Sequence, residues 1–127
     1  MKEPDWIDEP EALALHARLI RKHGGAPGIR ERQRLGAALA RPRQLLAYGD
    51  EVDIVRMAAS YTAAIVQNQP FFDGNKRTGF VIGILFLELN GRHFRASEAH
   101  AAQAVIALAA GRLDEYGFAA FLRANVG

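Results

Sequence analysis

The sequence predicts an all-α fold: a single-domain helical bundle over residues 1–127, built around a buried central helix at about residues 75–90. Three observations predict it. The stretch from Thr78 to Leu89 is apolar on every side of a helical wheel, the pattern of a helix enclosed by others. A second segment repeats Ile54, Met57, Ala58, Tyr61, Ala64 and Ile65 at helical spacing. Between and around these, Asp, Ser, Gly and Pro fall at helix-length intervals as start and stop signals. A chain of 127 residues, 50% hydrophobic and 24% charged, has the size of one globular domain with one core, and it holds no internal repeat or low-complexity tract.

In chain order, Asp8 reads as an N-cap, Pro10 as a first-turn residue and Glu11 as the returning partner of a capping box. Leu13, Leu15, Leu19 and Ile20 supply the apolar stripe, and His23-Gly24-Gly25 ends the helix before an Ala26-Pro27-Gly28 turn. Arg30 to Ala40 forms the next helix, with Leu35, Ala38 and Leu39 inward. It is expected to stop at Arg41-Pro42, because the residue before proline is steered out of the helical region. Leu45 to Asp50 then reads as a loop, and Asp50 as the cap of a helix from Glu51 to about Gln67. This helix and the one beginning near Thr78 are expected to lie antiparallel, with Gly79 and Gly83 on one face allowing a close approach. Asn90-Gly91 ends that helix, and Arg92 to Arg95 reads as a short extended piece. Ser97-Glu98 opens an alanine-rich helix closing at Gly111, and Asp114 caps a last one with Phe118, Phe121 and Leu122 inward.

The chemistry concentrates in Gln69-Pro70-Phe71-Phe72-Asp73-Gly74-Asn75-Lys76-Arg77-Thr78, a polar loop feeding a helix. A helix start leaves backbone N–H groups without acceptors and carries the positive end of the macrodipole, so a glycine-containing approach makes an anion seat. Asn75, Lys76 and Arg77 add an amide and two cations beside it. Asp73 is the carboxylate placed to hold a divalent metal, and the set suggests a magnesium–nucleotide site.

This segment resembles the signature loop of the Fic/Doc superfamily, His-x-Phe-x-(Asp/Glu)-(Gly/Ala)-Asn-(Gly/Lys)-Arg, at every position except the first, which is Gln69 here. The likeness extends to the Gly24 to Gly28 turn, the helix after Thr78 and the Leu89-Asn90-Gly91 exit. It implies that Phe71 is buried, that Asp73 binds metal and that Gly74, Asn75, Lys76 and Arg77 cradle phosphates. Lys76 and the short chain are similar to the death-on-curing (Doc) branch of toxin–antitoxin systems. The resemblance then implies ATP and Mg2+ as cofactors, transfer of the terminal phosphate to a threonine of elongation factor Tu, and a Phd-like antitoxin partner. Transfer of AMP, with the nucleotide reversed in the same loop, is the enzymatic alternative. No inhibitory (Ser/Thr)-x-x-x-Glu-(Gly/Asn) helix is evident, so restraint is expected from a separate antitoxin.

Gln69 occupies the position of the family's catalytic histidine, and an amide takes no proton at any useful pH. Loss of a general base typically removes about 10²- to 10⁴-fold in rate. Phosphoryl transfer through a loose transition state asks mainly for positioning and charge neutralisation, and glutamine orients the attacking group in some GTPases. A weakened enzyme and a catalytically silent nucleotide or antitoxin binder are therefore both compatible with the sequence.

The absence of cysteine excludes disulfides, thiolate zinc sites and cysteine nucleophiles. The N-terminus lacks the regions of a signal peptide and no apolar run approaches the ~20 residues of a membrane span, so a soluble, cytoplasmic protein is expected. The net charge is +2, yet Arg18, Arg21, Lys22, Arg30, Arg32, Arg34, Arg41 and Arg43 crowd the first third. Solvated helix faces explain such a run better than nucleic acid, for which there is no recognition motif. His16 and His23 have a sharp reading, a place near the nucleotide, and a bland one that outweighs it, surface or satisfied core residues, since neither has a partner at metal-ligand spacing.

Overall fold

Capping chemistry sets the ends of six helices in the computed structural model, which describes residues 3–49 and 52–127. The helices are α1 (Glu9–His23), α2 (Arg32–Tyr48), α3 (Ile54–Asn68), α4 (Asn75–Leu89), α5 (Glu98–Ala109) and α6 (Glu115–Ala124). The fold is all-α; besides the helices, the described residues hold only isolated bridges, Ile29 with Phe71 and Phe94 with Val126. The Glu11 carboxylate accepts from the Asp8 N–H at 3.2 Å, the returning half of the expected box. Ser97 and Asp114 accept from the N–H groups of His100 and Gly117 at 3.1 and 2.7 Å, capping α5 and α6 as the sequence indicates.

Two boundaries differ from expectation by more than two residues. Helix α2 runs through Pro42 to Tyr48 instead of stopping at Arg41, so the expected Leu45–Asp50 loop is helical as far as Tyr48. Leu35, Ala38, Leu39 and Pro42 are buried and Leu46 packs on the core, so one inward stripe crosses the proline. Burial of that stripe outweighs the hydrogen bond that Pro42 cannot donate. Helix α3 starts at Ile54, not Glu51. Asp53 caps it, its carboxylate accepting from the Arg56 N–H at 2.8 Å. The expected cap Asp50 and the start at Glu51 lie outside the described residues.

The centre of the bundle is shared by α3 and α4, and α3 is the more enclosed. Every residue of α3 from Met57 to Val66 is buried, and α2, α4, α5 and α6 all pack against it. Helix α4 buries Thr78, Gly79, Ile82, Gly83, Phe86 and Leu87, whereas Leu89 is exposed, so α4 is sealed along one face rather than all round. That face meets α3 at the two glycines. A Cβ on Gly79 would come within 3.2 Å of the Thr62 carbonyl, and one on Gly83 would overlap the Thr62 hydroxyl. The Thr62 hydroxyl donates to the Gly79 carbonyl at 2.8 Å across this contact. Phe86 carries Tyr61 and Trp6 against its ring, and the Tyr61 hydroxyl accepts from the Ile7 N–H at 3.0 Å. The tight α3–α4 pair thus presents the intervening loop, residues 69–74, at one end of the bundle. Among the described residues no helix is long and apolar enough to cross a membrane.

Candidate functional site

The loop begins with a backbone turn that few residues adopt. Gln69, the C-cap of α3, lies at φ 49° and ψ 58°, the one non-glycine residue with positive φ among those described. Its N–H donates to the Ile65 carbonyl at 3.0 Å and its own carbonyl accepts from Arg30 Nη2 at 3.0 Å. One residue back, the Asn68 carbonyl accepts from Arg34 Nη1 at 3.2 Å, so two arginines satisfy the last carbonyls of α3. The Gln69 side chain is exposed.

Phe71 is 1% exposed and anchors the loop. Its N–H donates to Asn75 Oδ1 and its carbonyl accepts from Asn75 Nδ2, each at 3.0 Å. The Asn75 side chain therefore closes the loop on itself, a different task from orienting phosphates, and its backbone N–H is the part that remains at the helix start. Gly74 sits at φ 78°, the left-handed region, where a Cβ would stand 3.3 Å from Ile20 Cδ1.

Below the loop is His16, 3% exposed, its ring stacked on Phe71 with centroids 3.8 Å apart and planes 6° from parallel. Its Nε2 lies 2.8 Å from the Asp73 carbonyl oxygen. Alongside, the segment after α1 pairs with the loop: Arg30 N–H and Glu31 N–H donate to the Pro70 carbonyl at 2.7 and 3.1 Å, and Phe72 N–H donates to the Gly28 carbonyl at 3.4 Å. The Ala26 N–H donates to Asp73 Oδ2 at 2.7 Å.

Asp73, Lys76 and Arg77 are exposed, and neither cation takes part in an ion pair among the described residues. The amides of Asn75, Lys76 and Arg77 are the first three of α4 and have no intrahelical acceptor. The structure thus brings Gln69, Asp73, Gly74, Asn75, Lys76 and Arg77 to one end of the bundle. Asp73 has no companion ligands, since no cluster of three or more His or carboxylate groups occurs among the described residues. A lone carboxylate with one oxygen free suits Mg2+, which takes one or two carboxylates and completes its shell with water and phosphate oxygens.

The satisfied-core reading of His16 holds, but its part in supporting the loop, and those of Ile20, Ala26 and Arg30, were not foreseen. A polar residue on the inward stripe of α1 was the available signal for His16; the others act through backbone groups or simple contact and left none. The early cations are largely engaged: Arg32, Arg34, Arg41 and Arg43 pair with Glu9, Glu31, Glu115 and Asp8 at 2.6, 2.8, 3.1 and 3.4 Å.

A helical fold with this loop between its two innermost helices defines a Fic-type protein, and the family model described as Fic/DOC family matches residues 6–87. The chain belongs to the Fic/DOC family. Within it the likeness is to the Doc branch: "Protein kinase doc" of Escherichia phage P1 is 35% identical over 85 residues, covering 67% of this chain and 68% of that protein.

Proposed function

We propose that this chain, as one Fic/Doc-like domain over residues 1–127, is the toxin of a type II toxin–antitoxin pair acting in the cytoplasm. In this reading it transfers phosphate from ATP to a hydroxyl of elongation factor Tu and is restrained by a Phd-like antitoxin. The observation that carries the reading is the open start of α4, where three unbonded amides lie between Asp73 and the unpaired Lys76 and Arg77. The kinase name of the phage relative supports phosphate rather than AMP as the transferred group.

The residues divide the work as follows. The amides of Asn75, Lys76 and Arg77 donate to phosphate oxygens, with Gly74 supplying the left-handed turn that leads into them. Lys76 and Arg77 neutralise the charge that spreads over the transferred group. Asp73, whose carboxylate keeps one oxygen free of the Ala26 N–H, would hold Mg2+. Bound Mg2+ supplies charge neutralisation across the phosphates. The Gln69 side-chain carbonyl accepts a hydrogen bond from the incoming hydroxyl and aims it, and since an amide takes no proton the hydroxyl proton passes to solvent.

A second reading is favoured by Gln69 alone: a silent relative that keeps the nucleotide seat and the antitoxin surface and works by sequestration. His16 does not stand in for the absent base, since it is buried and bonded to the backbone. One experiment separates these readings. Incubated with Mg2+ and terminally labelled ATP, the protein is expected to label elongation factor Tu weakly, and Gln69→His is expected to raise labelling by roughly tenfold or more. Label arriving from the α-phosphate instead assigns AMP transfer. No label from either position with either protein leaves the silent binder.

A further inference from the structure

A carbonyl oxygen only accepts, so the 2.8 Å contact between the Asp73 carbonyl and His16 Nε2 requires the hydrogen to lie on Nε2. That donor comes from α1, 57 residues earlier in the chain, and reaches the loop in the peptide unit that joins Asp73 to Gly74. The same ring lies flat against Phe71, and a Cβ on Gly74 would stand 3.7 Å from its Nε2. His16 therefore touches the loop at Phe71 and Asp73, beside Gly74, and it does so from a buried site.

We infer that His16 is the positioning residue of this loop: its Nε2–H fixes the Asp73–Gly74 peptide plane and through it the direction of the α4 amides relative to the Asp73 carboxylate. A peptide unit is planar, so holding the carbonyl oxygen of Asp73 also holds the N–H of Gly74. Gly74 is the N-cap, at φ 78°, and α4 begins one residue later. A rotation of that plane turns the amides of Asn75 to Arg77 away from the point on which the Asp73 side chain converges. Ala26 N–H ties the Asp73 carboxylate on one side and His16 ties its carbonyl on the other, so the residue is held at both ends. His16 does not itself contact nucleotide; it acts through the loop.

The inference concerns the shape of the free loop and rests on the nucleotide reading only for its second measurement. The variants are His16→Phe, which keeps a ring in the stack and removes the donor, and His16→Gln, whose amide Nε2 lies at nearly the same reach and restores it. In ¹H–¹⁵N spectra of the free proteins, His16→Phe is expected to move the amide signals of Gly74, Asn75, Lys76 and Arg77, while His16→Gln leaves them near wild type. Calorimetry with ATP and Mg2+ is expected to show affinity roughly tenfold to a hundredfold lower in His16→Phe and largely recovered in His16→Gln. Should the Phe protein not fold, His16→Met, of similar bulk and with no donor, serves instead. Unmoved amide signals in the donor-free variant, or equal displacement in the Gln variant, overturn the inference. Wild type that binds no nucleotide defeats the functional reading and leaves the spectra to decide the role of His16.

Discussion

At the residue scale, the loop separates groups that hold it from groups that it offers. Phe71, Gly74, Asn75 and His16 face inward or bond the backbone, whereas Asp73, Lys76 and Arg77 point to solvent. Truncating the second set should therefore leave the fold intact. Asp73→Ala and Arg77→Ala are expected to abolish or strongly weaken binding of ATP with Mg2+, with a stability shift of no more than about 0.5 kcal/mol for Arg77→Ala and about 1 kcal/mol for Asp73→Ala, which also gives up the hydrogen bond from the Ala26 N–H. Calorimetry and thermal unfolding on the same samples check both halves, and unchanged affinity in both variants would remove these residues from the site. The offered groups were legible in the sequence because they sit in one contiguous stretch, with residue types whose chemistry depends little on distant neighbours. His16 was not, because its meaning arises from contact with Phe71 and Asp73, more than fifty positions away.

At the element scale, start and stop chemistry was legible wherever a polar cap met no strong competing burial. Ser97 and Asp114 each open a helix through their side chains, and Asp8 opens α1 through its backbone N–H, which donates to the Glu11 carboxylate. Pro42 failed as a stop signal because its own ring is buried on the face that continues to Leu46, a fact of tertiary packing that spacing alone did not weigh. At the start of α3, Asp53 accepts from the Arg56 N–H at 2.8 Å and meets Arg123 at 2.6 Å. Partial burial works to raise the Asp53 carboxyl, but those hydrogen bonds and the nearby arginine charges outweigh it and hold it below its usual 3.8. A carboxyl lowered by folding stabilises above its unfolded value, and that contribution is lost as pH falls through the folded value. Stability is therefore expected to fall at acid pH below about 3.8 in part through Asp53. Asp53→Asn, which retains a capping oxygen, is expected to flatten that part of the acid limb in unfolding titrations. A limb of unchanged steepness would show that other carboxylates dominate it.

At the scale of the whole molecule, the ends of α3 carry different duties. Its C-terminal end delivers Gln69 and the loop. Near its N-terminal start, Arg56 pairs with Glu115 of α6, which Arg41 of α2 also meets at 3.1 Å, and the Arg56 guanidinium lies 4.4 Å from the Tyr116 ring. The Arg56 and Glu115 side chains are only 12% and 10% exposed, so this is a buried tie among three helices rather than a surface pair. Removing one partner leaves the other charge without compensation in a poorly solvated place, which typically costs about 3–5 kcal/mol. Glu115→Ala is expected to destabilise by that order. The double replacement Arg56→Met with Glu115→Met is expected to cost much less, since an apolar pair of similar bulk asks for no charge to be desolvated. Gln69 follows Arg56 by thirteen positions along α3 and its cap, a rise of about 20 Å, so neither change should alter nucleotide affinity in the folded protein. Denaturant unfolding with calorimetry on each variant checks both statements. A loss under about 1 kcal/mol in Glu115→Ala would mean that the pair behaves as an exposed one and that the apolar contacts of α3 hold α6 without it.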